Sequence, residues 1–380
     1  MLPIGDANVV EMDALRLSAE REQIYEESPN YGSHPHFTSH LRIPDFDRRR
    51  CLMTTATDMT SIIGHAEIAA FAESNVNLPH SAVTEYRERV NRLRDSLQAK
   101  IAADSAYAVV RVRNAGSLAK GTALRTTSDF DLAVYVRPDS VPQDPTQLSP
   151  WLIARLKEAR PQLDDDQFET HDHCVSIVYK DGRRVDIVPI LDAGDGSGDG
   201  DLIRKDTGDK VRTNVRRHIE FVRARKARCP VHYRQVIRLL KWWAAQQKAQ
   251  DETFRFKSYF AELLCSHLLD TGTNFSSYPD ALASIFTYIK VTGLTTPIIF
   301  EDYYKRSAVP NSAHGIMTVI DAVNPENNIL RDYTESHRRA IVSAAGSAVD
   351  AIDYAEFIPN HKRNDAIAAW AEILGHQFRG

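Results

Sequence analysis

The period of apolar positions divides the chain into three stretches. Residues 1–57 have no apolar period. The run SPNYGSHPHFTSHLRIPDFDRRR is rich in turn formers, His and Arg, and reads as a loosely ordered extension with one short helix around residues 11–28. From residue 60 the spacing turns helical. SIIGHAEIAAFAESNV and SAVTEYRERVNRLRDSLQAKIAA repeat apolar residues every three or four positions, the second ending near Ala103. Strand-like runs follow. YAVVRVR leads into a Gly-Ser turn, and DFDLAVYVR is a second strand. After a helix over LSPWLIARLKEARPQL come CVSIVYK and RRVDIVPIL, joined at Asp181-Gly182 as a hairpin. Residues 192–201, DAGDGSGDGD, read as a mobile surface loop. They lack the ligand spacing and closing Glu of a calcium loop. Beyond residue 212 strand patterns nearly vanish, and five helical runs reach from VRRHIEFVRARKARC to SHRRAIVSAAGSAVDAIDYAEF. The pattern is α+β. An extension (1–57) precedes a sheet-containing core with N-terminal helices (58–211) and an all-helical half (212–380), with a cleft expected between the halves.

Composition narrows the class. At 380 residues, 43% apolar and 26% charged, the chain has material for two globular domains. A net charge of −4 makes it no general polyanion binder, so any nucleic-acid surface must be local. Cys51, Cys174, Cys229 and Cys265 form no CxxC pair, which argues against a zinc site or a disulfide framework. With neither a signal segment nor an apolar membrane span, the expectation is a cytoplasmic protein.

The chemistry concentrates in GSLAKGTALRTTSDFDLAVYV. Asp129 and Asp131 lie two apart on a strand, so both side chains share a face. Aspartate is disfavoured inside strands, and two like charges this close repel unless a cation neutralises them. Asp186, within the apolar VDIVPI, would approach from a neighbouring strand as a third carboxylate; a salt bridge with Arg183 or Arg184 is the other reading. Upstream, the Gly116-Ser117 backbone N–H groups suit the phosphates of a nucleotide, and Gly116 permits their close approach. Lys120 is assigned to the same phosphate site. The set predicts transfer of a nucleotidyl group with two Mg²⁺ ions, Mn²⁺ being an alternative ion. Asp129, Asp131 and Asp186 would be both metal ligands and catalytic groups.

The helical half offers further candidates. Lys241 in RLLKWW reads either as a cation aimed at the triphosphate or as a solvated lysine beside core tryptophans. Ser258 and Tyr259, opening a helix, read as phosphate and base contacts or as a cap and a core aromatic. Arg216, Arg217, Arg223, Arg225, Lys226 and Arg228 share one helix, which reads as a nucleic-acid or partner surface or as a solvated face.

These segments together resemble the bacterial CD-NTases, the cGAS/DncV-like nucleotidyltransferases, from about residue 60 onward. GSLAKGTALR, SDFDLAVYV, VDIVPIL, RLLKWW, KSYFAELL and VIDAVNPENNI carry the likeness. EIAAFAESNVNLP, FRFKSYF, NFSSYPDAL and IIFEDYY point to the CdnC-like clade. The resemblance implies a Pol β-like core with an oligoadenylate-synthetase-like helical domain. It also implies synthesis of a cyclic di- or trinucleotide from ATP, with or without a second nucleoside triphosphate, in CBASS anti-phage signalling. The same three aspartates, Gly116 and Ser117 match the family's metal and phosphate positions, and Lys241, Ser258 and Tyr259 its donor-nucleotide contacts. The implied partners are a HORMA-domain protein with a TRIP13-like ATPase, and double-stranded DNA as activator. A linear template-free polymerase and an inactive nucleotide- or DNA-binding scaffold are the rival readings.

Overall fold

Alternation along one strand organises the sheet half. In the computed structural model, which describes residues 62–127, 129–171, 174–203 and 208–380, strand β2 (Asp129–Val136) is buried on both faces. Phe130, Leu132, Val134 and Val136 point to one face and join a core with Tyr86, Val90, Leu93 and Leu97 of helix α2 (His80–Ala103). Leu152 and Leu156 of helix α4 (Leu148–Ala159) complete that layer. The opposite face carries Ala133 and Tyr135, packed with Ile190, and at its start the two aspartates.

Seven strands form one mixed sheet among the described residues. Its main path runs β1 (Val109–Asn114), β2, β5 (Arg184–Asp192), β4 (Val175–Val178) and β3 (Phe168–Thr170). Only β2 and β5 are parallel in this sheet; the other pairings are antiparallel. β5 continues past β4 and pairs through Ile190–Asp192 with β6 (Gly200–Ile203), which pairs in turn with β7 (Lys210–Thr213). The Asp181-Gly182 hairpin joins β4 to β5. The 192–201 segment is a surface loop over residues 193–199, but its ends belong to the sheet. Asp192 pairs with Gly200, so its ends are ladder residues, and Asp195 accepts from the Ser197 N–H and hydroxyl at 2.9 and 2.6 Å in a local turn.

The helical half packs α5 (Val215–Arg228), α6 (Tyr233–Gln250), α7 (Ser258–Asp270), α8 (Tyr278–Thr292), α9 (Glu335–Phe357) and α10 (Arg363–Leu374) about a second core. Trp243 lies at its centre, fully buried, with Phe254, Phe256 and Phe286 around it. Asn214 caps α5, its side chain accepting from the Arg217 N–H. The two N-terminal helices part company. α1 (His65–Phe71) sends Ile68 and Phe71 into this helical core, whereas α2 covers the sheet. Between α8 and α9 the chain is largely non-helical. Short bridges, Ile298 to Val319 and Ile320 to Asn328, fold it back across the domain, and Asn324 donates to the Arg212 carbonyl of β7.

The chain divides into two units, Met1–Asp58 and Met59–Gly380. The expected extension, its helix and Cys51 lie outside the described residues. No described helix is long and apolar enough to cross a membrane.

The layer between α4 and the sheet tolerates little loss of volume. Leu152 is completely buried, so Leu152→Ala should cost about 2–5 kcal/mol and lower the melting temperature in a thermal scan. An unchanged melting temperature would contradict this packing.

Candidate active site

The parallel register of β2 and β5 brings two carboxylates from distant sequence side by side. Asp131 is the ladder partner of Asp186, and Asp129 that of Arg184. Paired residues of a parallel ladder share a face, so Asp131 and Asp186 project together. Burial, and then the Asp186 charge, push the Asp131 carboxyl up to about 6, against a counter-pull from Lys120. Asp186 accepts from the Ser176 hydroxyl at 2.6 Å. Asp129 accepts from Arg184 at 3.1 Å, and that pair is only half-buried. Among the described residues no three acidic, His or Cys side chains are drawn together as ligands; Arg184 engages Asp129 and Ser176 engages Asp186.

The donor set nevertheless fits a divalent cation. Two adjacent half-buried carboxylates, of which Asp131 has an elevated proton affinity, form an excess of negative charge that a hard cation relieves, and oxygen ligands are what Mg²⁺ takes.

Gly116 opens the short helix α3 (Gly116–Lys120) directly over this pair. Its φ is +64°, and a Cβ there would fall inside the Asp131 carboxylate. Both the backbone conformation and the space therefore require glycine. The helix ends at Gly121, φ +71°, in the left-handed conformation. Its N-terminal end and Lys120 face a cavity of about 570 Å³, lined also by Asp131, His218, Lys257, Tyr259 and Asp321. That volume suits a nucleotide-sized ligand.

At the far wall Tyr259 is held by its hydroxyl, 2.9 Å from Nδ1 of His218 and donating to Asp321 at 3.3 Å. Burial and the Asp321 charge raise the phenol well above its ordinary range, so it stays protonated. Burial lowers His218, opposed by Asp321. Asn327 donates to the second Asp321 oxygen at 3.2 Å. Neither His218 nor Asp321 stands out in the sequence as a candidate. Asp321 lies in the quoted VIDAVNPENNI, whereas His218 sits in an unremarkable arginine-rich run and carried no signal.

The other sequence-derived positions separate. Asp131, Gly116, Lys120 and Tyr259 line the cavity; Lys241 and Ser258 do not. Lys241 is neither extended to the cleft nor solvated. It is buried and bound to Glu262 at 2.7 Å, because a lysine on the packed face of α6 can be charged only beside an anion. Ser258 is the first residue of α7, and the cap position belongs to Lys257.

The basic helix is also different from a uniform charged face. Arg225 is buried and bound to Asp270 at 2.5 Å and Asp302 at 3.0 Å. Arg228 shares Asp270, and Arg216 pairs with Glu220 at 3.2 Å. Arg217 lies over the Tyr303 ring. Arg223 is exposed and Lys226 half-buried. Helical periodicity turns Arg225 inward, one turn from Phe221.

Two outcomes follow from this geometry. Gly116→Ala should destabilise the fold by about 1–3 kcal/mol, because the added Cβ meets the Asp131 carboxylate and φ lies in the left-handed region; an unchanged melting temperature in a thermal scan would speak against it. For Asp131 the folded value lies above the unfolded one, so the proton stabilises the fold. The ionised residue costs nothing below pH 4, and its cost grows from there to about pH 6, where it levels off near 3 kcal/mol. In metal-free protein Asp131→Asn should therefore raise the melting temperature at pH 8 and leave it unchanged at pH 4. Equal effects at both pH values would contradict the charge origin.

The Second Messenger Oligonucleotide or Dinucleotide Synthetase domain family matches residues 65–223. Over 322 residues the chain is 39% identical to a cyclic AMP-AMP-AMP synthase of Escherichia coli (strain MS 115-1), covering 84% of this chain and 99% of that protein. The structure of the E. coli MS115-1 CdnC:HORMA-deltaN complex aligns with a TM-score of 0.79 at 38% identity, over 84% of this chain and 99% of that one. The structure of E. coli MS115-1 CdnC with ATP aligns with a TM-score of 0.78 at 39% identity, over 84% and 100%. Enzymes of this family are nucleotidyltransferases that generally use divalent metals. With its Pol β-like core, its adjoining helical half and this extent of shared sequence, the chain belongs to the CD-NTase family of second-messenger oligonucleotide synthetases.

Proposed function

We propose that the protein joins ATP molecules into a cyclic oligonucleotide, foremost a cyclic trinucleotide of adenosine, releasing pyrophosphate at each bond. The observation that carries this is the Asp131–Asp186 ladder pair beneath the Gly116 turn, opening on a cavity with a fixed aromatic wall. The product class is supported by likeness to the cyclic AMP-AMP-AMP synthase, and the substrate by the relative solved with ATP.

The residues divide the work along the cavity. Backbone N–H groups at Gly116 and Ser117 receive the triphosphate oxygens, and Lys120 neutralises them. The Tyr259 ring, held by His218 and Asp321, stacks on the base. Asp129, Asp131 and Asp186 would hold two Mg²⁺ ions, which neutralise the leaving group and acidify the attacking hydroxyl. Asp186 accepts the proton of that ribose hydroxyl on the carboxylate oxygen not engaged by Ser176. The hydroxyl oxygen bonds to the α-phosphorus as the bond to the pyrophosphate oxygen breaks. Attack of the terminal hydroxyl of the linear intermediate on its own 5′ α-phosphorus closes the ring.

Three further readings belong with this one. The relative solved with HORMA-deltaN supports a HORMA-domain partner, with a TRIP13-like ATPase as its regulator. Double-stranded DNA as activator has lost Arg225 as a candidate contact, since it is buried against Asp270 and Asp302. A cytoplasmic setting agrees with Cys174, Cys229 and Cys265 being free thiols.

Incubation with ATP and Mg²⁺, with and without a HORMA-domain protein and DNA, followed by mass spectrometry, should give a phosphatase-resistant cyclic product. Asp129→Asn combined with Asp131→Asn should lower its rate at least about a thousandfold while the melting curve stays cooperative. Products with phosphatase-sensitive ends would mark a linear polymerase instead.

A further inference from the structure

One buried acid lies behind the cavity wall and joins both halves of the protein. Glu262 projects from α7, one turn beyond Ser258 and three residues beyond Tyr259. Its Oε2 accepts from Nζ of Lys120 at 2.7 Å, and its Oε1 from Nζ of Lys241 at 2.7 Å. The same Oε1 accepts from the Thr122 hydroxyl at 2.8 Å. Lys241 also donates to that hydroxyl at 3.0 Å. Three segments meet on one carboxylate: the end of α3 with the two residues after it, α6 and α7. Burial would raise the Glu262 carboxyl, but Lys120 and then Lys241 outweigh it and hold it down at about 2.

Lys120 is the member that reaches the cavity. Its ammonium is fixed from two sides, by Glu262 and by the Tyr259 ring, 4.7 Å from its centroid. Both partners belong to α7. The helix that supplies the aromatic wall thus also sets where the phosphate-facing cation stands.

We propose that Glu262 is a positioning residue for the triphosphate: it acts through Lys120 and Lys241, fixing the cation and the phosphate turn relative to the helical half. It does not touch the nucleotide. A buried anion shared by two ammoniums is costly to assemble and strongly directional once assembled. Its loss leaves Lys241 buried without a counter-charge, removes the ionic tie of Lys120 to α7, and leaves Thr122 held from the helical half only through Lys241. The phosphate turn then loses its reference to Tyr259, and the triphosphate its pre-set cation.

This inference rests on the proposed nucleotide site and is tested by binding, independently of product. Calorimetric titration of the full chain with ATP, with adenosine and with inorganic tripolyphosphate separates the phosphate contribution from the base. Glu262→Gln should weaken ATP and tripolyphosphate about tenfold and leave adenosine unchanged. Lys120→Met should do the same, and the double variant should be no weaker than Lys120→Met alone. Arg225→Met is the control. It breaks a buried ion pair whose members do not line the cavity and should lower the melting temperature without changing tripolyphosphate affinity. If Glu262→Gln does not fold, Glu262→Asp keeps the charge but is too short to span both lysines, and should weaken tripolyphosphate in the same way. Unchanged or tighter tripolyphosphate binding, or losses that add in the double variant, would overturn the positioning role. Failure of the unmodified protein to bind ATP would instead overturn the proposed function.

Discussion

The parallel pairing of β2 with β5 is the constraint on which the site depends. Strands 129–136 and 184–192 meet in register, and their even-and-odd alternation then decides everything local. One set of side chains, Phe130, Leu132, Val185 and Ile187, is driven into the core under α2 and α4. The other set, Asp131 and Asp186, is thereby forced to the opposite face and into each other's field. A one-residue slip of either strand would turn its own carboxylate into the hydrocarbon face, which is prohibitive. Hydrophobic burial on one face therefore enforces electrostatic crowding on the other.

That crowding is organised by polarity along the cavity. Acid accumulates at the β2–β5 end, where Asp131 already has a raised proton affinity. Base stands one helix away at Lys120, with Glu262 and Lys241 buried behind the cavity wall. The arrangement matches a ligand that carries cations at one end and bare phosphate oxygens at the other. Glycine at position 116 is the hinge of the layout, since a Cβ there would occupy the Asp131 carboxylate. The turn can approach the acids only without a side chain.

Much of this was legible beforehand, for identifiable reasons. The strand period placed Asp129 and Asp131 on one face, and the Asp-Gly turn set the β4–β5 hairpin, because both are local rules. What stayed hidden depends on tertiary pairing. β6 is short and begins inside the Gly- and Asp-rich segment, so composition suggested a loop through residue 201, where ladder bonds to Ile190–Asp192 already make a strand from Gly200. Lys241 and Arg225 looked like surface charge because sequence lists charges without their partners. Glu262 and Asp270, which make their burial tolerable, lie 21 and 45 residues downstream. His218 had no local signature at all; its role comes from where α5 passes α7.

Helix α7 shows how a single element can serve two ends of one ligand. Tyr259 and Glu262 are three residues apart and so lie on neighbouring parts of the same helical face. Tyr259 takes the base wall and Glu262 the two lysines, so aromatic and ionic contacts share one rigid backbone. The phosphate turn is tied to that backbone twice, through Lys120 and through Thr122. Any motion that opens the base wall must therefore carry the phosphate cation with it or break a buried, charged hydrogen bond. In the proposed function, that coupling would make base and phosphate recognition a single event.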